Sequence, residues 1–329
     1  MKAIVLISGG LDSLLAVRAI QNQGIDVLAI NFLMPFLKHD LINSHIVFAK
    51  RIAKQLSCDY KIVAFAEDYL EMVKNPKYGY GKNFNPCIDC KILMLKQARN
   101  LMNKIGASFI ATGEVLGQRP MSQHKQALQR IEEASGLNGL LVRPLSALIL
   151  PLTVPQKNGW LKKELLFDIK GRGRTRQIRL AEKWGIEEYS WPGGGCLLTE
   201  FHFCRRLKDL LKYEELSIEN IELLKLGRHF RITPDFKLIV GRDKDENEKL
   251  ISLAKSEDLL FEPNKLPGPT GVGRGFANKE LKEISAKIIA RYTCLDSEVE
   301  VLCGDVNKKD QKIILVKGMD EKQLKEWLI

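Results

Sequence analysis

A doubly wound, mostly parallel α/β sheet followed by a smaller α+β domain is the fold class this sequence predicts. Three observations carry that expectation. Strand-like apolar runs alternate with helix-like periodicity through the first half of the chain. The first strand runs without interruption into a glycine turn and an apolar helix. Beyond the basic middle of the chain the pattern changes to short paired strands and isolated helices, the mark of a separate α+β unit.

The elements follow in order. Residues 2–7 (KAIVLI) read as a strand, and 11–23 as a helix with Leu14, Leu15, Val17, Ala19 and Ile20 turned inward. A strand over 26–32, a helix over 42–56, a strand over 60–65 and a helix over 67–74 come next. A loop rich in Asn, Gly, Pro and Tyr covers 75–86. A helix over 88–104, a strand over 108–112, a glycine-rich loop, a helix over 122–134 and a short strand over 140–144 complete the alternation. Residues 148–199 are irregular and strongly basic, and helices over 201–213 and 217–224 lead out of them. The expected domains are 1–215 and 216–329. In the second, a hairpin is expected around Thr233-Pro234-Asp235, then a charged helix, a Pro/Gly-rich turn over 266–275, a helix over 278–292 and strands over 298–302 and 312–316. There is no internal repeat.

Composition narrows the function classes. The 329 residues carry a formal net charge of +11, which suits a polyanionic partner. No run of about 18 apolar residues is present, so no membrane span is expected. The N-terminus reads as a core strand without a basic leader, and seven cysteines are an odd number. Both fit a reducing cytoplasm, where thiols serve metals or catalysis.

The turn Ser8-Gly9-Gly10-Leu11-Asp12-Ser13 carries the first chemistry. Glycines there let backbone approach a phosphate, and the helix that follows offers unpaired N–H groups and the positive end of its dipole. Ser8 and Ser13 add hydroxyls, and Asp12 can hold Mg2+. The Gly-Lys-Ser/Thr ending of a Walker loop is missing. A second glycine-bearing loop, Thr112-Gly113-Glu114-Val115-Leu116-Gly117-Gln118, leaves the fourth strand, and in parallel sheets both loops lie beyond the carboxyl ends of the strands. Cys87 and Cys90 open a helix, where the dipole is expected to depress thiol pKa values. Cys196 follows Trp191-Pro192-Gly193-Gly194-Gly195 and is the third member of an expected shared site. Zinc would want a fourth ligand, for which His202 and Cys204 are the neighbours; a persulfide relay is a further option. A three-cysteine 4Fe-4S cluster with one iron open is the preferred expectation. The run Lys170-Gly171-Arg172-Gly173-Arg174-Thr175-Arg176 reads as a set of RNA phosphate contacts.

Ser8–Ser13 resembles the signature of the PP-loop ATP pyrophosphatases, which cut ATP between the α- and β-phosphates and adenylate a substrate. Residues 111–118, Leu141–Ser146 and the cysteine pair resemble the tRNA 4-thiouridine synthases of that family and, less closely, the tRNA 2-thiouridylases. The resemblance implies an ATP-dependent tRNA uridine sulfurtransferase releasing AMP and pyrophosphate. It implies ATP contacts from Ser8, Gly9, Gly10, Leu11, Asp12, Ser13, Phe32, Thr112, Gly113 and Gln118, and catalytic roles for Asp12, Cys87, Cys90 and Cys196, the cysteines also being the metal ligands. Implied partners are tRNA, a sulfur donor (sulfide or a persulfide-carrying protein) and a second copy in a homodimer. No stretch reads as the N-terminal RNA-binding extension or the C-terminal sulfurtransferase domain of typical 4-thiouridine synthases. Leu238–Asp243, Glu246–Glu248, Asp258–Phe261 and Pro267-Gly268 resemble the NFACT RNA-binding module, with Glu262 where that family has a histidine. Two other classes stay open: a PP-loop enzyme thiolating or amidating a small molecule, and a non-catalytic RNA-binding factor on an ATP-binding scaffold.

Overall fold

The computed structural model describes residues 1–37, 47, 50–65, 67–189, 196–293, 297–306 and 311–329. It divides into two compact units, Met1–Thr199 and Glu200–Ile329.

In the first unit, β1 (Lys2–Leu6), β2 (Asp26–Leu33), β3 (Asp59–Ala64), β4 (Phe109–Thr112) and β5 (Leu141–Val142) form a sheet in the order β3-β2-β1-β4-β5. Every pair is parallel. Ala3, Ile4 and Val5 of the central strand are fully buried, because a parallel sheet is covered on both faces. Its helices are α1 (Leu11–Gln21), α2 (Glu67–Lys74), α3 (Cys87–Ile105), α4 (Lys125–Ser135), the short α5 (Val154–Lys157) and α6 (Thr175–Lys183). Helix α1 buries Leu14, Leu15, Val17, Ala19 and Ile20, as its periodicity predicts. The helix expected over 42–56 is helical over 50–56, and its start lies outside the described residues. Helix α4 begins later than expected: Ser122 and Gln123 are buried in the preceding loop, and His124 caps the helix by accepting the Ala127 N–H at 3.3 Å.

The second unit contains α7 (Phe201–Tyr213), α8 (Ile218–Leu224), β6 (Arg228–Thr233), β7 (Phe236–Val240), α9 (Lys244–Leu253), β8 (Leu259–Pro263), β9 (Gly271–Gly275), α10 (Lys279–Arg291), β10 (Glu298–Asp305), β11 (Lys312–Lys317) and α11 (Glu321–Trp327). The strands form an antiparallel sheet in the order β11-β10-β8-β9-β7-β6. Helix α10 packs on it over a core that includes Phe230, Leu238, Phe261, Ile289 and Val301.

Three differences from the sequence reading have physical causes. Helix α7 goes with the second unit, so the division falls before it and not at 215/216. Its Phe203, Leu207 and Leu210 are buried, and its Asp209 pairs with Arg231 of β6 at 2.7 Å. The expected turn over 266–275 ends in a strand, β9. A Cβ on Gly273 would lie 2.8 Å from the Phe236 ring and 3.0 Å from that of Phe261, so the strand lacks side chains where aromatic neighbours fill the space. Glycine hides a strand from propensity for that reason. Strand β8 and helix α11 carried too short a pattern to be read.

Candidate active site

Strand β1 feeds a loop whose shape is fixed by its own hydrogen bonds. The Ile7 N–H donates to the Ile30 carbonyl at 2.8 Å, and the buried Asn31 amide donates to the Ile7 carbonyl at 2.9 Å. Gly9 then takes a φ of 78°, a conformation glycine adopts without strain. The Ser13 hydroxyl donates to the Gly10 carbonyl at 2.7 Å and accepts the Ser8 N–H at 3.2 Å. The Ser13 hydroxyl thus holds the loop's shape. Ser8 accepts the Gly10 N–H at 3.4 Å and keeps its own proton to offer. The Leu11 side chain is in the core, so the loop has only its backbone N–H.

Strand β4 closes on this loop from the side. A Cβ built on Gly113 would stand 2.4 Å from the carbonyl carbon and oxygen of Asp12 and 2.5 Å from the Ser13 nitrogen. No side chain fits there. The Asp12 Oδ2 accepts Gln118 Nε2 at 3.0 Å and Arg174 Nη2 at 3.1 Å. Its Oδ1 is buried and takes no hydrogen bond among the described residues, a spare carboxylate oxygen that suits a cation.

Arg174 arrives by a backbone route. The Gly171 N–H donates to the Leu116 carbonyl at 2.7 Å, the Leu116 N–H to Ser146 Oγ at 3.0 Å, and Ser146 Oγ to the Ile169 carbonyl at 2.6 Å. Upstream, the Leu148 N–H donates to the Phe167 carbonyl at 3.0 Å and the Phe167 N–H to the Pro144 carbonyl at 3.0 Å. Arg176 instead pairs with Asp168 at 2.7 Å, both side chains more than half exposed, and Arg172 is exposed.

Glu114 supports the site from below. It is 4 % exposed, pairs with Lys91 and Arg143, and accepts the Thr112 hydroxyl at 3.2 Å. Burial alone would raise its pKa, but Lys91 and Arg143 outweigh it and bring it down to about 2. The Phe32 ring stacks on Phe65 with centroids 5.1 Å apart and is 6 % exposed, leaving its backbone as what the end of β2 presents.

Cys90 and Cys196 meet the chain just beyond β2, at Met34 and Leu37. Cys90 Sγ lies 3.6 Å from Met34 Sδ and 3.5 Å from the Tyr69 hydroxyl. Cys87 Sγ donates to Asn85 Oδ1 at 3.0 Å. Cys196 forms a bridge with Leu37, and the Leu197 N–H donates to the Phe36 carbonyl at 2.9 Å. Residues 191–195, the glycine run before Cys196, lie outside the described residues. Burial pushes the Tyr69 phenol well above its ordinary pKa, and Cys90, Cys196 and Cys87 all add to the rise. Three thiols are soft donors, which fit an iron–sulfur group in their chemistry. Among the described residues no group of three His, Cys, Asp or Glu already stands ready around an ion. The expected depression of thiol pKa fails at Cys90: desolvation drives it up to about 11 and overrides the helix terminus.

Met34 and Tyr69 escaped the sequence reading because nothing in sequence spacing links them to the cysteines. Tyr80 and Phe84 pin the 75–86 loop: the Tyr80 hydroxyl donates to the Val73 carbonyl at 2.7 Å, and its ring meets Phe84 edge-on at 5.1 Å. A cavity of about 450 Å³ lies between α3 and α4, lined by Tyr78, Asp89, Lys96 and Arg130 and by none of the expected site residues. No helix among the described residues is long and apolar enough to cross a membrane.

Residues 1–158 match the family model for the tRNA methyl transferase HUP domain, and residues 227–328 that for the NFACT protein RNA binding domain. Residues 1–158 are thus similar to a HUP domain and residues 227–328 to an NFACT-type RNA-binding module. Both resemblances read from the sequence therefore hold. The chain is 27% identical over 243 residues to the tRNA-specific 2-thiouridylase MnmA of Syntrophomonas wolfei, covering 70% of this chain and 64% of that protein. It thus spans just under two thirds of that relative's length. Similar solved structures include a 4-thiouridine synthetase–RNA complex with bound ATP (18% identity, 68% of this chain and 52% of that one, TM-score 0.40). Another is the U34-tRNA thiolase NcsA from Methanococcus maripaludis with its 4Fe-4S cluster (20% identity, 68% and 73%, TM-score 0.35).

Proposed function

We propose that this protein is an ATP-dependent tRNA sulfurtransferase that adenylates a uridine carbonyl and replaces its oxygen with sulfur. One observation carries the reading. The PP-loop leaves β1, and Cys90 and Cys196 meet the chain just beyond β2 at Met34 and Leu37, β1 and β2 being neighbouring parallel strands of one sheet. Activation and sulfur delivery thus share one carboxyl edge, where such sheets bind ligands. The HUP match and the thiouridylase relatives support tRNA as the substrate class.

A uracil carbonyl oxygen is a poor leaving group, so it needs activation. It attacks the α-phosphorus of ATP, the bond from that phosphorus to the bridging oxygen breaks, and the electron pair leaves with pyrophosphate. Sulfur at the sulfide level then adds to the activated carbon, and the C–O bond breaks to release AMP. Gly9, Gly10 and the Leu11 N–H cradle phosphate, assisted by the N-terminal dipole of α1. Ser8 donates its hydroxyl, Asp12 holds Mg2+ to offset phosphate charge, and Thr112, Gly113 and Gln118 line the wall. Cys87, Cys90 and Cys196 would hold a 4Fe-4S cluster, whose open iron supplies a place for sulfide when bound. Arg172 and Arg176 contact RNA phosphates, and the NFACT-type module adds RNA affinity.

The test is anaerobic incubation with tRNA, ATP, Mg2+ and sulfide, followed by nucleoside mass spectrometry and a pyrophosphate assay. Thiouridine and pyrophosphate are expected from the wild type and neither from Asp12→Ala. Pyrophosphate release without thiolation of any RNA nucleoside would overturn the reading.

A further inference from the structure

We propose that Arg174 is a ligand of the β- and γ-phosphates of ATP, steered to them by Asp12, and does not belong to the RNA-binding surface that its neighbours in sequence form. The inference deepens the proposed function and rests on its ATP site.

The run from Lys170 to Arg176 looks uniform as sequence, but the structure sorts its arginines. Arg176 turns to Asp168 on the exposed surface, and Arg172 is exposed. Arg174 turns inward, 23 % exposed, and reaches the phosphate loop's own aspartate. It does so from a rigid support. The Gly171 and Gly117 backbones face each other at van der Waals distance, a Cβ on Gly117 standing 3.5 Å from the Gly171 nitrogen. The hydrogen bonds among Leu116, Ser146, Ile169 and Gly171 fasten the segment three residues before Arg174.

Its chemistry suits the leaving group. A guanidinium carries five N–H donors in a planar fork, and only Nη2 is engaged, on Asp12 Oδ2, among the described residues. The remaining donors can take phosphate oxygens, for which this fork is well matched. Asp12 is also bonded by Gln118, so the carboxylate is fixed and can orient the arginine. Its buried Oδ1 stays available for the cation. A positive group and a metal would then flank the phosphates that depart together. Charge at that point stabilises the departing pyrophosphate as its negative charge grows.

The test is titration calorimetry without RNA, using Mg·ATP and, separately, inorganic pyrophosphate with Mg2+, beside tRNA binding measured across a salt series. Arg174→Ala should weaken both ATP and pyrophosphate roughly 10- to 100-fold, the range for lost charge-assisted hydrogen bonds, and leave the slope of tRNA affinity against salt unchanged. Arg174→Lys should recover part of the loss, since it keeps the charge without the fork, and it guards against a folding failure of the alanine variant. Arg172→Ala with Arg176→Ala should do the reverse, flattening the salt slope with ATP binding intact. Wild-type nucleotide affinity in Arg174→Ala, or a flattened salt slope in that variant, would overturn this inference alone. Failure of the wild type to bind either nucleotide or pyrophosphate would overturn the ATP site and the inference with it.

Discussion

Gly113→Ala is the sharpest perturbation this site offers. The added Cβ would lie 2.4 Å from Asp12 backbone atoms, where real contacts stay beyond 3.0 Å, so the β4 end and the phosphate loop must part by at least 0.6 Å (3.0 − 2.4). Both sides of the contact are backbone, and the loop side is the first turn of α1, held at Ser13 and Ile7. Nothing flexible can absorb the shift. Misplacing reacting groups by about 1 Å costs roughly 10²-fold in rate, or about 2.7 kcal/mol in the barrier. Overpacking should cost about 1–3 kcal/mol of stability besides. Pyrophosphate release under saturating tRNA measures the first, and chemical denaturation the second. The variant should fold, unfold at lower denaturant and release pyrophosphate about a hundredfold more slowly. Unchanged kinetics in a variant of unchanged stability would refute the steric argument.

Other expectations follow from the same structure. Glu114→Gln removes the carboxylate that Lys91 and Arg143 share, Arg143 keeping Glu132 at 2.9 Å, and should destabilise the first unit by about 3 kcal/mol in denaturant melts, the low end for broken buried pairs. The wild type should show the matching acid dependence. Because the folded pKa of Glu114 is about 2 against an ordinary 4.5, its contribution is present above about pH 4.5 and lost as pH falls towards 2; a stability curve flat through that window would count against it. Protein purified without oxygen should be brown and contain iron and labile sulfide, and Cys87→Ala, Cys90→Ala and Cys196→Ala should each lose both. Stoichiometric zinc without iron would remove the cluster from the proposed mechanism. Gly273→Val should force Phe236 and Phe261 aside and lower the melting temperature of the second unit; an unaltered transition would mean that the rings repack freely.

The sheet and the PP-loop were legible because they rest on short-range signals. Strand, turn and helix are contiguous from Lys2 to Gln21, and their apolar periodicity is strong. What stayed hidden depends on long-range contact. The bonds of the Ser13 hydroxyl to Gly10 and Ser8 depend on how the loop turns at Gly9, which the sequence does not spell out. Cys90 looked acidic because a helix start can be read from sequence and desolvation cannot. The pairing of Glu114 with Lys91 and Arg143 was hidden because they lie 23 and 29 residues away. Strand β9 failed the propensity test because its glycines replace strand-forming residues, Gly273 making room for the rings of Phe236 and Phe261 from β7 and β8.

The Leu148–Phe167 hydrogen bond has an evolutionary consequence. It closes the neck of an excursion over 149–166, so the chain leaves and rejoins the sheet edge at nearly the same point. The excursion is tethered along its length, for Gln23 exchanges hydrogen bonds with Lys162 through both amide atoms at 3.1 and 2.8 Å. Lengthening a closed loop costs little, about 0.6 kcal/mol per doubling. Insertions between Leu150 and Leu152, ahead of the Val154 N–H that donates to the Gly139 carbonyl at 2.7 Å, can therefore be accommodated without moving Ile169, Gly171 or Arg174. Sequence change in that arm is tolerated while the backbone that carries Arg174 to the phosphate loop keeps its hydrogen bonds.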